Sequence, residues 1–205
     1  MKRKSTAMLA AALSLTLLLS ACTQSDSSGS PSPAPSSSAD TTQSSSGTDS
    51  ESSGGILSSF AAEDLDGNSI DQSILEGHTL TMVNVWATFC TPCISEMPEL
   101  GELAEEYADK GVQIVGLISD VLDRDGSVSE TQLDTAREIV SSTGADYVHI
   151  IPSTDLYGLL YQITSVPTTF FVDETGAQVG TAYLGAREKD DWTVIIDEML
   201  AEVSK

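Results

Sequence analysis

Cys90-Thr91-Pro92-Cys93 concentrates more reactive chemistry than any other stretch of this 205-residue chain. Two thiols at this spacing can hold a metal, brace a fold or exchange electrons. A structural zinc site needs four ligands, usually a second cysteine pair or nearby histidines. The chain has three cysteines and two histidines in all. His78 falls in an apparent turn and His149 in an apparent strand, where each reads as a solvated or packed residue rather than a ligand. Redox exchange asks for different things. The first thiol should be exposed at a helix N-terminus, where unpaired amides and the helix dipole favour a thiolate. The second should follow one turn later, and the pair should sit at the carboxyl end of a strand. The sequence meets these demands: an apolar run Leu80–Trp86, then Cys90, then Pro92 in the first helical turn, where its missing N–H costs nothing, then Cys93. Cys90 is the expected nucleophile and Cys93 the expected resolving thiol.

The elements that must carry this pair follow from periodicity. "FAAEDLDGNSID" reads as two short strands around an Asp66-Gly67 turn, and "HTLTMVNVWA" as a central strand. A helix is expected from Cys90 or Thr91 to Lys110, with Leu100, Leu103, Ala104 and Tyr107 on one face, Pro98 kinking it and Gly111 stopping it. "VQIVGLIS" is a second, parallel-type strand, and Asp120 to Gly126 a polar loop. Ser129 and Gln132 have the spacing of a capping box opening a helix that ends at Gly144. A short strand "YVHII", a short helix from Ser153 to Gln162, a hairpin turning at Asp173 to Gly176 and a last helix carrying Trp192, Ile195, Ile196, Met199 and Leu200 complete the chain. Alternating strands and helices specify an α/β sheet with helices on both faces. "DLDGN" and "DRDGS" look like fragments of calcium loops but have neither the glycine at the sixth position nor the glutamate at the twelfth that such loops require, and read as turns.

The first 21 residues read as an export signal: Lys2, Arg3 and Lys4, then an apolar core from Ala7 to Leu19. That core is shorter than the roughly 20 residues a membrane span needs. It ends in Leu-Ser-Ala-Cys, which resembles the lipobox of bacterial lipoproteins, so Cys22 is the expected lipidation site and membrane anchor. Only Cys90 and Cys93 then remain as thiols. Residues 22–55 are nearly all Ser, Thr, Pro, Gly, Ala and Asp and read as a disordered tether of roughly 30 Å reach. The folded domain is expected over 56–205. A net charge of −22 argues against nucleic acid as a partner.

Trp86-Ala87-Thr88-Phe89-Cys90-Thr91-Pro92-Cys93, with Glu96, Met97 and Pro98 following and Val166-Pro167-Thr168 far downstream, resembles the thioredoxin-like TlpA/ResA family. The resemblance covers roughly 56–205 and implies a thioredoxin-like fold with a central mixed sheet and an N-terminal β-hairpin extension. It implies a membrane-tethered, extracytoplasmic thiol–disulfide oxidoreductase acting on exported proteins, most simply as a disulfide reductase resupplied by a membrane thiol–electron donor, with no dissociable cofactor and no metal. It also implies site roles. Pro167 would be a cis-proline facing the disulfide, with Val166 pairing to an incoming strand. Trp86, Phe89, Thr91 and Pro92 would meet the substrate, and Glu96, one turn beyond Cys93, would move its proton. The family usually has Trp where this chain has Phe89, which keeps an aromatic shield and removes an indole N–H. Asn84 stands where cytosolic thioredoxins bury an aspartate. The same residues leave other readings open: a disulfide-forming oxidase, a thiol peroxidase and a non-catalytic metallochaperone. Ala87 disfavours the peroxidase, because it occupies the position where peroxiredoxins carry Thr.

Overall fold

Apolar residues alternating along consecutive strands place two distinct cores on the two faces of one sheet. The computed structural model describes residues 54–205; the expected signal, Cys22 and most of the tether lie outside them. Seven strands form the sheet: β1 (Ala61–Asp64), β2 (Ser69–Asp71), β3 (Leu80–Trp86), β4 (Val112–Ile118), β5 (Val148–Ile151), β6 (Thr168–Val172) and β7 (Gln178–Leu184). Their order is β2-β1-β5-β4-β3-β6-β7. β3, β4 and β5 run parallel, while β1, β6 and β7 are antiparallel to their neighbours, so the sheet is mixed. β1 and β2 form the expected hairpin, tightened by the Asp64 carboxylate, which accepts from the Asp66 and Asn68 amides.

Four helices flank the sheet: α1 (Thr91–Ala108), α2 (Glu130–Thr143), the single turn α3 (Tyr157–Leu160) and α4 (Lys189–Val203). β3 is buried along its whole length. Its even-numbered residues Leu80, Met82 and Trp86 face α1, α2 and α4, meeting Leu100, Tyr107, Leu133, Trp192 and Ile196. Its odd-numbered residues Val83 and Val85 face Leu57, Phe60, Leu75, Leu156 and the flank of α3. Helices therefore lie on both faces, but the second face is covered mainly by short turns and the segment before β1.

Three local expectations change. Ser129 stands at the N-cap of α2 but makes no side-chain cap bond. Gln132 turns away, its amide donating to Thr88 Oγ1 and Asp120 Oδ2 at 3.2 and 3.4 Å, so no capping box forms. The helix expected from Ser153 to Gln162 is a 3₁₀ turn, Thr154–Leu156, followed by one α turn. α1 continues through Pro98 to Ala108 rather than to Lys110.

Candidate active site

β3 ends at Trp86, and the chain turns through Ala87, Thr88 and Phe89 into the N-terminus of α1. Cys90 is the N-cap of α1, with extended backbone, and the Cys93 amide donates to its Sγ at 3.2 Å. The two cysteines are joined in a disulfide, with Cα atoms 5.3 Å apart. A sulfur at this position faces the helix amides that lack partners within the helix, which favours negative charge there once the bond is reduced. Cys90 is less open than its sequence suggests: it is 5% exposed and Cys93 is fully buried. The reason is packing. Both belong to a cluster with Leu65, Trp86, Ala87, Met97 and Ile118, against which Val166 also lies.

Thr91 and Pro92 are exposed, and Phe89 is 75% exposed, so the aromatic preceding Cys90 stands out from the surface rather than covering the disulfide. The Val166–Pro167 peptide is cis, and the Pro167 carbonyl accepts from the Gly185 amide at 2.9 Å. Trp86, expected among the residues that meet substrate, is instead fully buried. Its indole Nε1–H donates to His149 Nδ1 at 3.2 Å, and His149 Nε2 lies 3.0 Å from the Ala145 carbonyl. These partners fix a neutral imidazole with its proton on Nε2, and burial lowers its pKa to about 4. Gly116 makes room for the pair: a Cβ there would stand 2.2 Å from His149 Nδ1. His149 is thus a packed core residue.

Glu96 is 3% exposed. Its Oε1 accepts from Asn84 Nδ2 at 2.9 Å. Its Oε2 accepts from the Arg187 amide at 3.1 Å and more weakly from Trp192 Nε1 at 3.4 Å. Burial pushes the carboxyl above the ordinary carboxylate range, against the opposite pull of these three donors and the Arg187 charge. A narrow cavity of about 100 Å³ lined by Ser95, Glu99 and Arg187 reaches Glu96. The structure therefore places on one helix a disulfide at the tip and, one turn beyond Cys93, a buried acid whose neutral form is favoured.

One contributor was not evident from sequence. Asp120, just past the carboxyl end of β4, accepts from the Thr88 amide at 3.1 and 3.0 Å and from Thr88 Oγ1 at 2.6 Å. This carboxylate clamps the turn that delivers Cys90, and Gln132 braces it from α2. The available signal was positional: parallel neighbours β3 and β4 bring their carboxyl ends together, so a polar residue after β4 lies beside the turn after β3. Among the described residues no cluster of three or more metal-ligating side chains occurs.

A CxxC disulfide at the head of a helix that follows a central strand, with a cis-proline before β6, defines a thioredoxin-like protein. The Redoxin family model matches residues 32–194, and the chain belongs to that family, in its TlpA/ResA-like group. It is 30% identical over 153 residues to the thiol:disulfide interchange protein DsbE of Vibrio cholerae, covering 71% of this chain and 74% of that one. It is 32% identical over 120 residues to the thiol-disulfide oxidoreductase ResA of Bacillus cereus, covering 58% of this chain and 63% of ResA. The chain thus spans less than two thirds of the ResA relatives it matches. Among solved structures, a thioredoxin-family thiol:disulfide interchange protein from Chlorobium tepidum superposes with a TM-score of 0.57 at 25% identity, covering 74% of this chain and 99% of that one.

Proposed function

We propose that this protein is an extracytoplasmic thiol–disulfide oxidoreductase that reduces disulfides in exported proteins. In this reading residues 1–21 are a lipoprotein signal peptide, Cys22 carries the lipid that anchors the chain, residues 22–55 are the tether and residues 56–205 the catalytic domain. The observation that supports it most is Cys90 as N-cap of α1, bridged to a Cys93 that lies deeper in the same turn.

The steps follow from that placement. In the reduced protein the Cys90 thiolate attacks one sulfur of a substrate disulfide, forming a Cys90–substrate bond and releasing the other substrate sulfur as a thiolate. Cys93 passes its proton to Glu96 and attacks Cys90 Sγ. The Cys90–Cys93 bond forms, and the second substrate sulfur leaves. Two electrons have passed to the substrate, and a membrane thiol–electron donor returns two to the protein. Phe89, Thr91 and Pro92 present the surface on which the substrate settles, and Val166 offers its backbone beside Pro167.

Replacing the resolving thiol tests this order. Cys93→Ala is expected to accumulate a covalent complex through Cys90 with a disulfide-bonded exported protein, released by dithiothreitol. Recovery of free Cys90 thiol alone would reject the assignment. The direction rests on the family resemblance, and the reduction potential of the pair measures it.

A further inference from the structure

The two oxygens of Glu96 are not equivalent, and the difference assigns a task to Asn84. Oε2 faces the Arg187 amide and the Trp192 indole N–H. Both groups can only donate, so a proton on Oε2 would point at two protons. Oε1 faces the side-chain amide of Asn84, and that amide can both donate and accept. A proton arriving at Glu96 therefore belongs on Oε1.

As the side chain stands, Asn84 meets an ionised carboxylate. Its Nδ2 donates to Glu96 Oε1 at 2.9 Å and to Thr169 Oγ1 at 3.0 Å, while Oδ1 is buried and receives no hydrogen bond among the described residues. Once Oε1 carries a proton, that proton and the Nδ2 protons compete for the same space. Rotating the amide by half a turn exchanges Oδ1 and Nδ2 at almost constant shape. Oδ1 then accepts from the Glu96 O–H and from the Thr169 hydroxyl, which can donate as readily as it accepted. Each orientation leaves one amide atom without a partner, so neither is excluded on hydrogen-bond count.

We infer that Asn84 is a positioning residue that reverses its amide each time Glu96 gains or loses a proton, so that the buried acid keeps a partner in both states. The inference rests on the proposed proton transfer from Cys93: as that S–H bond breaks and the Glu96 O–H bond forms, the Asn84 amide turns to accept the new proton. An aspartate at position 84 could only accept, and would oppose Glu96 whenever both were ionised. The other charged and titratable groups around Glu96 are Arg187, Glu99 and Glu188, which line the same cavity, and the buried Tyr147 hydroxyl. None of them supplies a partner for Oε1.

The test uses the full chain, oxidised so that Cys93 does not titrate, and labelled with ¹³C and ¹⁵N. The Glu96 carboxyl carbon reports its proton. The Asn84 amide protons report orientation through their nuclear Overhauser contacts with Thr169. Above the Glu96 midpoint those contacts should be present. Below it they should vanish, and the amide shifts should move with the same midpoint. A Glu96 that titrates beside an Asn84 amide with unchanged shifts and contacts overturns the inference while leaving the oxidoreductase reading intact. Asn84→Leu provides a second arm. It removes the donor to the ionised form and the acceptor for the protonated form together, so the proton affinity of Glu96 should rise by roughly tenfold or less, the difference between a charge-assisted and a neutral hydrogen bond. A rise of about a hundredfold, the loss of a donor that serves the ionised form alone, would also overturn it.

Discussion

Acid should loosen this fold through His149, by an amount that its surroundings set. The imidazole is 3% exposed, its Nδ1 is occupied by the Trp86 N–H, and its pKa falls from 6.5 to about 4, with burial the leading cause. The unfolded chain binds a proton near pH 6.5 and the folded chain only near pH 4. Stability from this group is thus fully present above about 6.5 and is lost as pH falls towards 4. The gap between 6.5 and about 4 corresponds to about 3 kcal/mol, a sizeable share of the roughly 5–15 kcal/mol typical of a domain. Asp64 and Asp173, whose carboxyls are held below their usual range by local hydrogen bonds, titrate lower and in the same direction. Comparison with His149→Gln separates them. Urea unfolding of the oxidised protein should show the native chain losing about 3 kcal/mol more than the variant between pH 7 and pH 4. Parallel curves for the two proteins would refute the argument that burial, and not exposure, governs this imidazole.

Other expectations follow from the same geometry. Glu96 has the opposite sign: its raised carboxyl contributes stability that is full below the ordinary value of 4.5 and is lost as pH rises through the folded value. Glu96→Gln should therefore gain stability over the native chain as pH rises, in the same urea series, and slow the exchange reaction with a shifted pH profile. Asp120→Ala strips the Thr88 turn of its acceptor and should cost about 1–3 kcal/mol. It should also lower the alkylation rate of reduced Cys90 near neutral pH; an unchanged rate would remove Asp120 from the site. Gly116→Ala drives a Cβ into His149 and Trp86 and should cost about 1–3 kcal/mol for overpacking. That cost should fall in the His149→Ala background, which a double-mutant cycle would register.

Periodicity and spacing carried the sequence reading far because the site is built from a contiguous segment. Leu80–Trp86, the cysteine pair and Glu96 lie within one strand–turn–helix, so their order along the chain is their order in space. Pro167 was reachable only through resemblance, since a proline beginning a strand looks alike in either isomer. What stayed hidden depends on contacts between distant segments. Gln132 has the right spacing for a capping box, yet its amide is drawn to Asp120 and Thr88, which no local rule sees. Trp86 was expected, through the resemblance, to meet the substrate. Strand alternation instead aims it at the α1 and α2 side of the sheet, where His149 supplies a partner for its N–H. Arg187 and Trp192, some 90 residues beyond Glu96, became its partners only once β7 and α4 had folded back onto α1.

That last attachment ties chemistry to assembly. The residues enclosing Glu96 Oε2 come from the turn after β7 and from α4, so the strand, the turn and both sulfurs are made before their acid is fenced in. A chain whose segment from Arg187 through α4 has not packed against α1 leaves Glu96 Oε2 without these two donors. Packing of that segment thereby doubles as the step that completes the enclosure of the buried acid on α1.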